Sequence, residues 1–216
     1  MIGISNPAIK KGSGIIMAVI GWFALILQLY VMLNTNAKNG IAPTTTVINF
    51  FSFFTILANL LVAISLTSSI FFPKSKLGIF FSKSATQSAI GLYIIIVGIV
   101  YSIALRKIWN PEGLQLVADR LLHDLIPLLY LFYWLLFTPK KVLQWKQVIY
   151  WLIFPAIYLA YSLIRGAVVK WYPYYFINAQ KLGYGRVAVT ALLVLAFFIL
   201  FGLLLVFLNR IGKAER

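Results

Sequence analysis

The chain has 216 residues, of which 62% are hydrophobic and only 11% are charged, and its mean hydropathy is +0.94. A soluble domain of this length cannot bury so much apolar surface, so the composition predicts an integral membrane protein. The net charge of +15 belongs to lysines and arginines that flank the apolar segments. In that position they act as topology determinants and attract anionic headgroups, so we expect no nucleic-acid partner.

The inventory of reactive side chains is small: no cysteine, one histidine and four acidic residues. The absence of cysteine excludes disulfides and thiolate chemistry. So few potential ligands predict that a single chain holds no metal site. We expect no cofactor either.

Six apolar segments follow one another along the chain, each close to the roughly 20 residues that a helix needs to cross a bilayer. We predict an all-α fold in which residues 1–216 form a single domain, a bundle of six transmembrane helices at 14–33, 48–71, 84–105, 121–138, 147–165 and 187–208. An even number of spans places both termini on one side of the membrane. Eleven of the 19 lysines and arginines fall on that side, which favours the cytoplasm and a multi-pass protein of the cell membrane.

The second predicted span carries a polar stripe. Residues three or four apart share a helix face, so Ser52, Thr55 and Asn59 are expected to line one side of that helix. Such residues often bond only across helices or to their own backbone. Polar groups at membrane depth are nevertheless candidates for function.

The fourth predicted span opens with the only histidine, His123, followed by Pro127, Tyr130 and Trp134 on the same stripe. Proline cannot bond the carbonyl four residues earlier, so a bend is expected at the histidine itself. A lone histidine at this depth is often a packing residue. The bend, together with the shared depth of His123 and Thr55, favours a functional site.

The chemistry that suits this pair is nucleophilic. A threonine hydroxyl needs an adjacent base, and histidine is the side chain whose pKa lies nearest neutrality. Thr55 as nucleophile and His123 as general base would cleave an ester or another acyl bond. Asp119 and Asp124 are the acids nearest to the histidine, but Asp124 points about 100° away from its neighbour on a helix.

The last loop on the far side combines Arg165 with Trp171, Tyr172 and Tyr174. Aromatic residues at this level form a belt at the headgroups in many membrane proteins. The alternative is a lid over a cavity mouth, in which Arg165 is available for a carboxylate. These four loop residues are candidate pocket residues. The other candidates are Ser52, Asn59, Phe54, Tyr130 and Trp134. We expect Phe50 to line the same cavity as Phe54, Tyr130 and Trp134.

Four groups of residues follow one another along the chain: Gly21-Trp22-Phe23-Ala24-Leu25, Phe53-Phe54-Thr55 with Asn59, His123 with Pro127 and Trp134-Leu135-Leu136-Phe137, and Arg165-Gly166 before Trp171-Tyr172-Pro173-Tyr174. In this order they resemble the bacterial branch of the androgen-induced-gene and androgen-dependent TFPI-regulating protein family. The resemblance implies a six-span membrane threonine hydrolase of fatty acid esters of hydroxy fatty acids. It also implies that Thr55 is the essential threonine and His123 the essential histidine.

Two classes of function therefore remain open at the level of sequence. The first is an intramembrane lipid ester hydrolase whose substrate, a membrane lipid or fatty-acyl compound, enters a cavity among the helices. The second is a non-enzymatic protein that binds or transports a lipid or small molecule. Transporters commonly contain related repeats, and this sequence has no evident repeat, which favours the hydrolase.

Overall fold

The computed structural model describes residues 6–212, which form helices and contain no β-strand. The α-helices, numbered in chain order, are α1 (Pro7–Lys38), α2 (Pro43–Phe50), α3 (Phe54–Phe71), α4 (Lys76–Ser82), α5 (Ser84–Val100), α6 (Gly113–Arg120), α7 (Ile126–Phe137), α8 (Gln147–Trp151), α9 (Ile153–Val169) and α10 (Ala179–Ile211). Two π-helical turns, Tyr101–Leu105 and Leu121–Leu125, extend α5 and join α6 to α7.

Six helical stretches are long and apolar enough to cross a membrane: Pro7–Lys38, Phe54–Phe71, Ser84–Leu105, Gly113–Phe137, Gln147–Val169 and Ala179–Ile211. The predicted class, an all-α membrane protein with six spanning helices, is confirmed. The spans Phe54–Phe71 and Ser84–Leu105 are the most buried of the six, so α3 and α5 form the centre of the bundle.

The second span is shorter than predicted. It begins at Phe54, because α2 ends at Phe50 and the chain is extended at Phe53. Ser52 lies in this break, where its hydroxyl bonds the carbonyl of Ile48. Such a local bond competes with continued helix formation. The predicted stripe is therefore wrong at Ser52, which does not belong to the same helix as Thr55.

The first, fourth, fifth and sixth spans are longer than predicted. The fourth begins at Gly113, directly after the Asn110–Pro111 break, so His123 lies in the third turn of a continuous helical stretch. The sixth begins at Ala179 and contains one non-helical residue, Gly183, with φ 75°. That left-handed conformation favours glycine, which has no Cβ to clash.

Small residues let the central helices approach closely. A Cβ on Gly21 of α1 would lie 3.3 Å from the side chain of Ala63 in α3. A Cβ on Gly98 of α5 would lie 3.2 Å from the carbonyl oxygen of His123. Helix association in membranes relies on such close packing, and here it brings the end of α5 against the π-helical turn that carries the histidine.

Asn209 at the end of α10 fastens the loop after α7. Its side chain is fully buried. The amide oxygen accepts from the N–H groups of Val142 and Leu143, each at 3.1 Å, and the amide nitrogen donates to the carbonyl of Pro139 at 2.7 Å. One buried side chain thus satisfies three backbone groups of this loop.

We expect Asn209→Leu to destabilise the protein by about 3 kcal/mol or more, because each buried group left without a partner costs about 1–3 kcal/mol. Thermal unfolding in detergent micelles measures the effect. Asn34→Ala is the matched control, since the exposed Asn34 side chain bonds only Tyr30 of its own helix. Equal melting temperatures for the two variants would contradict this role.

Candidate functional site

Thr55 is the second residue of α3, and tyrosine hydroxyls cap this helix end. The first N–H groups of a helix have no partner within it, and the residue before α3 supplies no side-chain cap. Instead, the N–H of Phe54 donates to the hydroxyl of Tyr158 at 3.2 Å, and the N–H of Thr55 donates to that of Tyr174 at 3.1 Å. The cap fixes the start of α3 against α9 and the last loop.

The side chains of Thr55 and His123 meet in space. Thr55 Oγ1 lies 3.4 Å from Nε2 of His123 and 3.2 Å from the Tyr174 hydroxyl. Thr55 is 8% exposed, and the His123 side chain is 14% exposed. The distance between Thr55 and His123 is at the long end of hydrogen bonding, as is common for catalytic pairs before substrate binds. The two residues that the sequence analysis paired, 68 positions apart, are therefore neighbours.

The other imidazole nitrogen is held by Asp119, one helical turn earlier. Nδ1 of His123 lies 3.0 Å from the Asp119 carbonyl oxygen and 3.3 Å from its carboxylate Oδ1. Both partners are acceptors, so Nδ1 carries the proton and Nε2 is free to accept one from Thr55. Asp119 itself is only 2% exposed.

Tyr101 completes the support of this cluster. Its hydroxyl donates to the second carboxylate oxygen of Asp119 in a short hydrogen bond. Its ring stacks on the imidazole of His123 with the centroids 4.0 Å apart. The π-helical turns at the ends of α5 and α6 place these residues opposite each other, and such turns occur frequently at functional sites.

Asp124, the acid next to the histidine, has other partners. Its carboxylate binds the guanidinium groups of Arg106 and Arg120. The hydrogen bonds that Arg106 donates to Asp124 raise the pKa of Arg106 above its usual value. The expectation that Asp124 points away from His123 agrees with this geometry. Asp119 is therefore the acid in contact with the imidazole.

Two cavities meet at this cluster. The apolar cavity, about 650 Å³, lies between α5, α9 and α10 and is lined mainly by aliphatic side chains. The histidine cavity, about 440 Å³, lies beside α1, α3 and α6 and is lined by His123, Asp119 and several amides. Thr55, Tyr101, Leu105 and Tyr174 line both cavities. The threonine hydroxyl therefore lies between an apolar cavity and a second cavity whose lining includes an imidazole, a carboxylate and several amides.

Of three other predicted pocket residues, one lines a cavity and two bond neighbouring groups. Phe54 lines the apolar cavity. Asn59 donates to the carbonyls of Thr55 at 2.8 Å and Leu122 at 3.3 Å, and thereby ties α3 to the π-helical turn. Ser52 bonds the hydroxyl of Tyr161 at 2.9 Å and lines neither cavity.

Tyr130 and Trp134, predicted to be pocket residues, line neither of the two cavities. Both are 1% exposed. The Tyr130 hydroxyl donates to the carbonyl of Gln87, and the Trp134 N–H donates to the hydroxyl of Ser88. These bonds pack α7 against α5. Phe50, expected beside them, is likewise buried in the core.

Some residues of the last loop pack against neighbouring helices, and one of them lies at the site. Arg165 donates to the side chain of Asn49 at 2.7 Å and lies over the ring of Trp171. The ring of Tyr172 packs directly on Gly166. Arg165, Trp171 and Tyr172 line neither cavity, whereas Tyr174 lines both. Only Tyr174 among the predicted loop residues therefore reaches the threonine.

Three residues around Thr55 and His123 were not predicted from the sequence to belong to the site. Asp119 was named only as one of two nearby acids, although its spacing of four residues from His123 puts the two on one helix face. Tyr101 and Tyr158 gave no comparable signal, because they lie on other helices and resemble many other tyrosines of the chain.

The fold and the cluster together define a class: a six-helix membrane protein with a buried Thr-His-Asp arrangement between two cavities. No family model, no curated protein sequence and no solved structure matches this chain.

Proposed function

We propose that this protein is an intramembrane lipid ester hydrolase in which Thr55 is the nucleophile and His123 the general base. One observation carries the proposal. Thr55 Oγ1 lies beside Nε2 of an imidazole whose Nδ1 is held by a buried carboxylate. A nucleophile, a base and an orienting acid in this order are what acyl transfer requires.

In the first half of the reaction, His123 Nε2 takes the hydroxyl proton as Thr55 Oγ1 forms a bond to the ester carbonyl carbon. The bond from this carbon to the alcohol oxygen then breaks. The leaving alkoxide receives the same proton from Nε2 and departs as an alcohol. Asp119 stabilises the positive imidazolium that exists between these two proton transfers.

In the second half, water attacks the acyl-threonine. His123 Nε2 accepts a proton from the water, and the new hydroxyl becomes bonded to the acyl carbon. The bond to Thr55 Oγ1 breaks, the proton returns to this oxygen, and the fatty acid is released. The balance requires only the ester and one water molecule.

The oxyanion that forms in both halves needs donors, and two lie beside the threonine. The first is the Thr55 N–H at the start of α3, which donates to the Tyr174 hydroxyl in the structure and would exchange that partner for the oxyanion. The helix dipole at this end also favours negative charge. The second is the Tyr174 hydroxyl, 3.2 Å from Oγ1. Desolvation raises the pKa of Tyr174, so the phenol stays protonated and able to donate. Asn59 is not such a donor, because its amide nitrogen already donates to the backbone carbonyls of Thr55 and Leu122.

We expect Tyr174→Phe to lower kcat by about 10²-fold, the usual effect of removing one oxyanion donor. The KM for the same ester is expected to change little, because the ring remains in place against Phe53. Steady-state hydrolysis of a p-nitrophenyl acyl ester in micelles measures both constants. Tyr161→Phe, which removes a hydroxyl bonded to Ser52 and not to Thr55, is the matched control.

The test of the proposed function is mass spectrometry of the purified protein after incubation with a fluorophosphonate probe. An adduct on Thr55 that is absent from Thr55→Ala and from His123→Ala is expected. Absence of any adduct on well-folded protein would contradict the hydrolase. It would favour the alternative, a protein that binds or transports a lipid or small molecule.

The resemblance to the androgen-induced-gene and androgen-dependent TFPI-regulating protein family implies fatty acid esters of hydroxy fatty acids, and we include other acyl lipids with the same bond. The apolar cavity suits an acyl chain that enters from the bilayer. We place the protein in the cell membrane with both termini in the cytoplasm, as the distribution of lysine and arginine favours.

A further inference from the structure

The two cavities at Thr55 differ in what they can bind. The residues that line the apolar cavity include no charged side chain and mostly aliphatic ones, such as Ile96, Val97, Leu159 and Val194. The histidine cavity is smaller, and about half of the residues that line it are apolar. Unlike the apolar cavity, it also contains neutral amide side chains, from Gln28, Asn36 and Gln115, together with the hydroxyl of Thr35. A molecule cleaved at Thr55 would leave one part in each cavity.

The amides of the histidine cavity keep hydrogen-bonding capacity to spare. Gln28 and Gln115 bond each other reciprocally across α1 and α6, at 2.9 and 3.4 Å. Each uses one N–H and one acceptor position of its amide, and an amide has two of each. Asn36 donates to Thr46 with its nitrogen. Donors and acceptors of this kind match a hydroxyl, which both donates and accepts.

Cations are missing from the same lining. Among the described residues that line the histidine cavity, none is a lysine or an arginine, although the chain carries 19 of them. The guanidinium of Arg106 contacts the Tyr101 ring, but it binds Asp124. The acid that does line the cavity, Asp119, would repel a second negative charge.

We propose that the histidine cavity selects the alcohol part of the ester, and that it selects an uncharged alcohol with free hydroxyl groups, such as a glycerol. The acyl chain then lies in the apolar cavity. This inference rests on the proposed hydrolase function and narrows its substrate class. A carboxylate or phosphate on the alcohol part would lose its water without gaining a cationic partner, and burying a charge in that way is unfavourable.

The inference differs from what the family resemblance implies. The alcohol part of a fatty acid ester of a hydroxy fatty acid carries a free carboxylate and a long chain. We expect esters of that kind to be poor substrates of this protein, because their carboxylate would find no cationic partner in the histidine cavity. Neutral monoacylglycerols with the same acyl chain are expected to be good ones.

Three oleoyl esters test the inference with the full-length protein in detergent micelles: oleoyl glycerol, the oleoyl ester of a hydroxystearic acid, and the methyl ester of that second compound. The third carries the carboxylate of the second as an uncharged methyl ester, and release of oleate reports cleavage of the same oleoyl ester bond in both. We expect the carboxylate to lower kcat/KM by at least about tenfold relative to its methyl ester. We also expect oleoyl glycerol to have the highest kcat/KM of the three.

Substitutions of Gln115 provide an independent test of the same inference. Gln115→Lys places a cation in the lining of the histidine cavity and should reduce the discrimination against the carboxylate by about tenfold, whereas Gln115→Leu should not. A carboxylate ester cleaved by the wild type as well as its methyl ester, or better, overturns the inference while the hydrolase stands. If none of the three esters and no p-nitrophenyl acyl ester is cleaved, the proposed function fails and the inference fails with it.

Discussion

Thr55→Ala and His123→Ala are each expected to lower kcat for lipid ester hydrolysis by at least about 10⁴-fold, because each removes a member of a unit that acts together. The alanine at residue 55 leaves no oxygen to form the acyl intermediate. The alanine at residue 123 leaves the hydroxyl without the base that now lies 3.4 Å away. Neither change should unfold the protein, since neither side chain belongs to the hydrophobic core cluster.

Two further variants sharpen this prediction. Thr67→Ala is the matched control, because Thr67 lies on the same helix but bonds Trp22, about 18 Å along the helix from the site. It should hydrolyse the same ester at the wild-type rate. Thr55→Ser keeps the hydroxyl and should retain measurable turnover. Full activity in Thr55→Ala would remove threonine from the mechanism altogether.

Asp119→Asn is expected to lower kcat by about 10³- to 10⁴-fold with little change in KM, as is found when the orienting acid of a catalytic triad becomes an amide. The amide nitrogen of an asparagine can turn toward Nδ1 of His123. The imidazole would then carry its proton on Nε2, where it cannot accept one from Thr55. The substitution preserves the volume of a residue that is only 2% exposed.

A structural role alone would have a different signature. If Asp119 positions the imidazole, the rate of fluorophosphonate labelling at Thr55 falls by the same factor as hydrolysis, while the melting temperature changes much less than in Asn209→Leu. Tyr101→Phe keeps the ring that stacks on His123 and removes the hydrogen bond to Asp119. It should reduce the rate by a smaller factor. Unfolding of Asp119→Asn with no specific loss of labelling would contradict the positioning role.

The fold could be predicted from the sequence to a large extent. Six apolar segments of spanning length suffice to predict six helices, because the bilayer admits few other structures. The errors lie at the helix ends. The start of α3 depends on tyrosine hydroxyls from α9 and the last loop, which satisfy the N–H groups of Phe54 and Thr55. No local sequence signal reports partners more than 100 residues away.

The site could be predicted only in part. Thr55 and His123 stood out because polar groups inside apolar segments are costly and rare. Tyr130 and Trp134 were misplaced, because periodicity assigns residues to a face but does not say whether a cavity or another helix covers it. In this protein α5 covers that face, where Ser88 and the Gln87 carbonyl accept their hydrogen bonds.

The sequence by itself determined the membrane class, the number of spanning helices and the presence of two polar clusters, because these follow from hydropathy and from the spacing of residues along one chain. The tertiary structure alone decided that Asp119 orients toward the histidine, that Tyr101 and Tyr174 support the cluster, and that two cavities of unlike polarity meet at Thr55. Those features depend on how α3, α5 and α6 pack against one another. Packing is set by many weak contacts between distant segments, none of which a single segment reveals.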